Sequence, residues 1–372
     1  MSGHVQDLWT TPGPDGKRLR NARWGHGRRW CARWTDLTGH ERRKSFTLKS
    51  TAEEWLARVQ VDEADGLSVT AGRAPLAGYI DRWYASRTCN ENTLAWYRGT
   101  LIRVRARWEH SPVAKVTKSA VQEWVGELRS GGMSESRVHA HLGTFKSVMQ
   151  FAVDDGARRN NPCKGISVPP IPRHRPRDIP TSDLARIVVE LDKQRPENGT
   201  LALVLTFTGA RWGELVDLRV SALDGRRLHL GPSISTVAGR QIPGDGKAHR
   251  HRDVVLPPTI LSRITALTEG REPDDLLFPA RRGGRWHHSA WRRCWQRACE
   301  QAKVKPVPTT HQMRHTAATL AIAAGADIKV VQEMVGHATA TLTLDVYGHL
   351  RAGRLEAVAD AMDADATAVL GL

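Results

Sequence analysis

Between Leu76 and Ile166, apolar residues recur at helical spacing four times. Leu76, Tyr79, Ile80, Trp83 and Tyr84 keep to one face, and Leu94, Tyr97, Leu101 and Val104 to another. Val121, Trp124, Val125 and Leu128 make a third stripe, stopped by Gly131 and Gly132. The fourth opens at Ser134 and runs through Val138, Leu142, Phe145, Val148, Met149 and Ala152. Four amphipathic helices with short connections predict a bundle over residues 75–166. Upstream of it the pattern changes to alternation. Arg28-Arg29-Trp30-Cys31-Ala32-Arg33-Trp34 alternates, Asp36-Leu37-Thr38-Gly39 reads as a turn, and Arg42-Arg43-Lys44-Ser45-Phe46-Thr47-Leu48 alternates again. This predicts a hairpin with Arg and Trp on one face. Ser50 or Thr51 is placed to cap a helix behind it, with Glu53 and Glu54 in the first turn. Residues 1–66 are therefore expected to form a three-stranded sheet plus one helix, and the small, polar stretch from Gly66 to Pro75 a linker.

Residues 167–180 hold Pro169, Pro170, Pro172, Pro176 and Pro180 among basic residues, cannot continue a helix, and mark a second linker. Beyond it the periods mix. Ser182 can cap a helix through Leu191, and Leu201 to Phe207 is a buried apolar segment ending at Thr208-Gly209. Arg227 to Leu230 and Arg252 to Pro257 read as short strands flanking a Gly-rich, basic hairpin. Met313, Ala317, Leu320, Ala321 and Ala324 form one further stripe and Ile328, Val331 and Val335 another, with Gly325 and Gly336 at helix ends. The fold class is mainly α with small β-sheets (α+β), in three domains at 1–66, 75–166 and 181–350, followed by an Ala-rich, acidic tail at 351–372.

Composition adds a partner. Across 372 residues, 55 Lys and Arg face 39 Asp and Glu, a net charge of +16, which points to a polyanion and first to nucleic acid. No apolar run is long enough to span a bilayer, and Met1 to Thr10 lacks the basic and apolar parts of a signal peptide, so a cytoplasmic, nucleoid-associated protein with no membrane partner is expected. Cys31, Cys89, Cys163, Cys294 and Cys299 are scattered and never form a CxxC pair, so they read as reduced, packed thiols. His287-His288, His249 with His251, and His311 with His315 lack any recognised zinc spacing, and neither metal nor cofactor is expected.

Four fragments gather reactive side chains: Thr208-Gly209-Ala210-Arg211-Trp212-Gly213-Glu214-Leu215, the hairpin Gly246-Lys247-Ala248-His249-Arg250-His251-Arg252, His311-Gln312-Met313-Arg314-His315-Thr316, and Val335-Gly336-His337 with Tyr347 ten residues on. Two guanidiniums suit a phosphate, because each is a planar fork of donors. His311 lies one helical turn before Arg314. Of the four tyrosines, Tyr79, Tyr84 and Tyr97 lie on apolar stripes and Tyr347 lies apart from them.

In order and spacing this set resembles the tyrosine recombinases, the family of phage and integrative-element integrases. The resemblance implies Arg211, Lys247, His311, Arg314 and His337 as catalytic residues and Tyr347 as the nucleophile. Glu214 would buttress an active-site cation or histidine, and Gly209 and Gly213 would permit close packing around Arg211. It further implies a SAM-like core-binding domain at 75–166, an arm-type DNA-binding domain at 1–66 and a catalytic domain at 181–350. The activity would be metal- and ATP-independent site-specific DNA recombination, through a 3′-phosphotyrosine and a Holliday junction, integrating or excising a phage or mobile element.

Double-stranded DNA, at core and arm attachment sites, is the implied partner of a homotetramer, with a small excision factor and a host DNA-bending protein as accessories. Arg28, Arg29, Arg33, Arg42, Arg43 and Lys44 are the DNA-contact candidates at the front. Arg292 and Arg293 are the candidates in the basic run from Arg281 to Lys305, with half the aromatic content of that run expected in the core. The tail could contact a neighbouring protomer. Rival readings are a type IB topoisomerase-like nicking-closing enzyme and a DNA-binding protein without catalysis.

Overall fold

The computed structural model describes residues 3–171, 177–231, 233–237, 239–243, 251–336 and 362, so the tail at 351–372 lies outside the described residues apart from Met362. The chain divides into two compact units, residues 1–172 and 173–372. No helix among the described residues is long and apolar enough to cross a membrane.

The first unit begins with strands β1 (Gly3–Asp7), β2 (Thr10–Pro12), β3 (Arg18–Arg20), β4 (Trp30–Thr35) and β5 (Glu41–Phe46), then helix α1 (Lys49–Ala64). β1, β4 and β5 form one antiparallel sheet in the order β1-β4-β5, while β2 and β3 pair only with each other. Register decides the faces of the sheet. Trp34 stands opposite Arg42, Arg33 opposite Arg43, and Ala32 opposite Lys44. Side chains alternate along a strand, so Ala32 and Trp34, which pack with Leu56 and Val59 of α1, take Arg42 and Lys44 to the helix side. Arg33 and Arg43 share the open face. Arg and Trp do share a face, Trp34 with Arg42 and Lys44, but it is the face that meets α1 and not the open one.

Helix α1 starts earlier than expected, with Leu48 at the N-cap and no side-chain cap, which leaves Ser50 and Thr51 inside the helix. The stretch expected as a linker instead holds α2 (Val69–Arg73), whose first turn is capped by the Ser68 hydroxyl accepting from the Ala71 N–H at 3.1 Å. The Ser68 N–H donates to the Gly156 carbonyl at 2.8 Å, and Arg159 pairs with Asp62 and Asp65 at 2.8 and 2.9 Å. These contacts join the front module to the bundle of α3 (Leu76–Ala85), α4 (Glu91–Trp108), α5 (Lys118–Ser130) and α6 (Glu135–Asp154). The four apolar stripes meet there: Trp108 stacks on Phe145 at 5.4 Å and Trp124 meets the same ring edge-on at 5.5 Å. Tyr79, Tyr84 and Tyr97 belong to this core.

The second unit runs α7 (Thr181–Gln194), α8 (Pro196–Thr208), α9 (Trp212–Leu215), β6 (Leu223–Asp224), β7 (Arg227–Leu230), β8 (Ile234–Val237), β9 (Arg240–Pro243) and β10 (Arg252–Val255). It continues with α10 (Pro258–Thr268), α11 (His288–Gln301), α12 (Thr310–Ala323) and α13 (Ile328–Val335). β10, β7 and β6 make a small antiparallel sheet, and β8 and β9 a hairpin. Pro180, not Ser182, occupies the N-cap of α7. Helix α8 has no polar face; most of its residues are buried, as expected of a helix enclosed by its neighbours. In the run from Arg281 to Lys305 the expected split of aromatic residues fails, because Trp286, Trp291 and Trp295 are all buried. Trp291 stacks on Trp212 at 5.6 Å, which fixes α11 beside the residue that follows Arg211.

Candidate active site

The site is built where α8 ends. Gly209 closes that helix in the left-handed region at φ 63°, and a Cβ there would meet the Val335 Cγ1 at 3.0 Å. At Gly213 a Cβ would strike the Ser233 Oγ at 2.1 Å and the Ile234 carbonyl at 2.4 Å, so only glycine lets this turn lie against β8. Between the two glycines stands Arg211, at the N-cap of α9 with its side chain partly in solvent.

Glu214 organises what surrounds it. Its carboxylate accepts from the Arg211 backbone N–H and from the Arg211 Nη1, both at 2.8 Å. On its other side Arg252 donates from Nη1 at 2.9 Å and Nη2 at 2.8 Å, a bidentate pair with both side chains nearly closed to solvent, 10% and 6% exposed. Burial alone would raise the Glu214 carboxyl. The hydrogen bonds and charge of Arg252, followed by those of Arg211, outweigh it and hold the group below the usual carboxylate range. Arg252 also donates from Nε to the Met334 carbonyl at 2.9 Å, and Arg211 from Nη2 to the Gly336 carbonyl at 2.6 Å. One carboxylate therefore ties the α9 turn, the start of β10 and the end of α13 together.

Arg314 enters from α12, is itself buried, and donates from Nη1 to the Gly209 carbonyl. His311 lies one turn earlier on the same helix, its imidazole edge-on to His315 at 4.6 Å. Its pKa is lowered by desolvation, then by the positive charges of Arg314 and Arg211, which places all three groups within electrostatic reach of one another. His315 is pushed down to about 4, first by desolvation and then by His311 and Arg314. The arrangement keeps both imidazoles neutral near pH 7 beside two guanidiniums, a setting suited to an oxyanion.

Arg211, Glu214, His311 and Arg314 are thus assembled. Lys247, His337 and Tyr347 lie outside the described residues, although Gly336, the residue before His337, is fixed by Arg211. The residue that sequence reasoning passed over is Arg252, a basic residue at a strand start. A buried position beside Glu214 makes it structural to the site, and no period or spacing reveals that.

The DNA-contact candidates scatter. Arg29 is hydrogen-bonded to Asp7, Arg42 to Asp36 and Arg33 to Glu41, while Arg28 donates to the Ser45 carbonyl. The Lys44 ammonium lies 4.5 Å over the Trp55 ring. Arg43, Arg292 and Arg293 are exposed.

Residues 178–354 match the phage integrase family and residues 76–156 the phage integrase N-terminal SAM-like domain, two adjoining matches that span both units. The chain belongs to the phage integrase family of tyrosine recombinases. This tyrosine recombinase is 28% identical over 348 residues to the putative prophage phiRv2 integrase of Mycobacterium tuberculosis, covering 88% of this chain and 90% of that one. It is 28% identical over 285 residues to the tyrosine recombinase XerD of the same organism, over 72% of this chain and 90% of that one. Its fold is similar to the Tn1549 transposon integrase in complex with a circular intermediate DNA, at TM-score 0.66 and 20% identity over 73% of this chain and 95% of that one. A lambda integrase dimer bound to a core site is similar at TM-score 0.63 and 14% identity, over 92% and 95%.

Proposed function

We propose that this site-specific recombinase is an element integrase. Its catalytic residues are Arg211, Lys247, His311, Arg314, His337 and the nucleophile Tyr347, on residues 181–350. Residues 75–166 would hold core DNA and residues 1–66 arm DNA. The observation that carries the reading is the convergence of Arg211, Arg314 and His311 from two separate helices, with Glu214 aiming the first. In the reaction the Tyr347 phenol oxygen gives its proton to His311 and bonds to the scissile phosphorus, and the bond from phosphorus to the 5′ oxygen breaks as that oxygen takes a proton from Lys247. One phosphodiester is exchanged for another, so no hydrolysis and no external energy are required. Arg211 and Arg314 neutralise the non-bridging oxygens as charge redistributes.

The match that favours an element integrase over a chromosomal resolvase is its extent. The prophage integrase aligns with 88% of the chain, whereas XerD aligns with 72%. A homotetramer on two duplexes is the assembly that strand exchange requires, and a lambda integrase tetramer bound to a Holliday junction is similar in fold, at TM-score 0.62. An excision factor and a DNA-bending protein would set direction.

A duplex nicked beside the cleavage site tests the chemistry, because the short strand diffuses away and traps the intermediate. A covalent protein–DNA adduct is expected to form in EDTA and to vanish in Tyr347→Phe. An adduct that persists in the variant, or that needs magnesium, would refute the mechanism.

A further inference from the structure

Residues 8–29, inserted between β1 and β4, carry most of the free positive charge of the front module. Lys17, Arg18, Arg20, Arg23 and Arg28 are exposed there, against one acid, Asp15, and among the described residues only Arg18 of these five is met by a carboxylate, Asp7 at 3.5 Å. Arg29, where the insert meets β4, and Arg33 and Arg42 of the sheet are each engaged by a carboxylate, and Lys44 lies on the helix side. The open face of the sheet therefore offers little unpaired charge besides Arg43.

The insert is also built, at both of its ends. Asp7, closed to solvent, accepts from the Trp9 N–H, the Thr10 hydroxyl and the Arg29 Nη2, all at 3.0 Å. The Leu8 N–H donates to the Arg29 carbonyl at 2.7 Å, and the Trp9 indole N–H to the His26 carbonyl at 3.0 Å. On this frame Trp24 stands 37% exposed, with the Arg20 guanidinium 4.0 Å above its ring and Trp9 5.8 Å away. An exposed indole stacked under a guanidinium serves no core, and the β2–β3 hairpin pairs with no other strand among the described residues. Cations on a short two-stranded ribbon match the regular phosphates of a duplex, and a flat aromatic beside them matches a groove wall.

We infer that the β2–β3 hairpin and the loop through Arg28 form a DNA-binding finger that grips duplex next to the segment the sheet faces. This rests on the arm-binding reading of residues 1–66. The finger would add phosphate contacts, so its contribution is sequence-tolerant and steeply salt-dependent.

The test uses the full chain and a duplex of about 40 base pairs, selected by that chain from a random pool under conditions that exclude the core site. Arg20→Ala with Arg23→Ala is expected to lower the slope of log affinity against log salt by about 2, at roughly 0.9 per phosphate, and to shorten the hydroxyl-radical footprint at one end. Lysines at both positions should restore the slope, and the melting temperature should stay that of the parent, because neither side chain holds the frame. An unchanged slope and footprint in the alanine variant, while deletion of residues 1–66 abolishes binding, would overturn the finger alone. Unchanged binding after that deletion would overturn the arm-binding reading and the finger with it.

Discussion

Asp7 in the front module and Glu214 in the second unit are both buried carboxylates that hold arginines, with opposite results. Asp7 engages Arg29 and lies 3.5 Å from Arg18, fixing the base of a loop. With Asp36 on Arg42 and Glu41 on Arg33, the front module neutralises much of the charge that makes it look like a DNA-binding sheet. Glu214 shares one negative charge between Arg211 and Arg252, with Arg314 nearby, so its surroundings stay cationic. The lesson is that a count of basic residues measures attraction to a polyanion, whereas the carboxylates decide which of those residues can answer it.

The comparison breaks first at Arg314. Its replacement by Ala should slow covalent adduct formation by about 10²–10³-fold, the usual loss for one donor to a developing oxyanion, with duplex binding retained. A rate within tenfold of the parent would remove the catalytic half of the contrast. Next comes Arg252→Met, which strands Glu214 with half its partners and should cost about 3 kcal/mol, read as a fall in the urea midpoint. Arg252→Lys should not restore it, since one ammonium cannot reproduce the fork that spans Glu214 and the Met334 carbonyl.

A smaller effect is expected at Asp7. Its carboxyl is lowered to about 2, chiefly by the hydrogen bond from Arg29, against an ordinary value of 3.8. A depressed folded-state pKa gives stability that is present above pH 4 and lost as pH falls toward 2, roughly 2 kcal/mol in all. Asp7→Asn should flatten that acid limb of the unfolding curve; an unaltered limb would show that the contact does not stabilise the module. The smallest effect is a matter of position on the pH axis. Desolvation and the surplus charge around Arg211 and Arg314 keep the His311 pKa below 6.5, so adduct formation should hold its rate through pH 6.5 and decline only in more acid solution. A decline centred above 6.5 would contradict this.

Much of the helical architecture is legible in the sequence, because a stripe at helical spacing needs a partner face and four stripes in a row supply one another. The pairing of Arg211 with Glu214 is legible for a similar reason, being local to one turn. Faces of the sheet are not, since alternation marks two sides without saying which meets α1; that depends on register against β1 and β5. Caps misled at Ser50 and Ser182, where the chain enters the helix at Leu48 and Pro180. The stretch from Gly66 to Pro75 looked like a linker because its residues are small, yet small residues are what let Gly72 approach the Ala157 carbonyl, which a Cβ would meet at 2.8 Å. Arg252 was illegible for want of any local partner: Glu214 is 38 residues away in sequence and Met334 is 82.

Separations of this length bear on when, during synthesis, the site is completed. Arg211 reaches the Gly336 carbonyl across 125 residues, so its aim depends on a segment translated late. A chain still on the ribosome, emerged only through α12, lacks the two carbonyls that Arg211 and Arg252 reach. Both arginines gain their last carbonyl partners only once synthesis has passed α13.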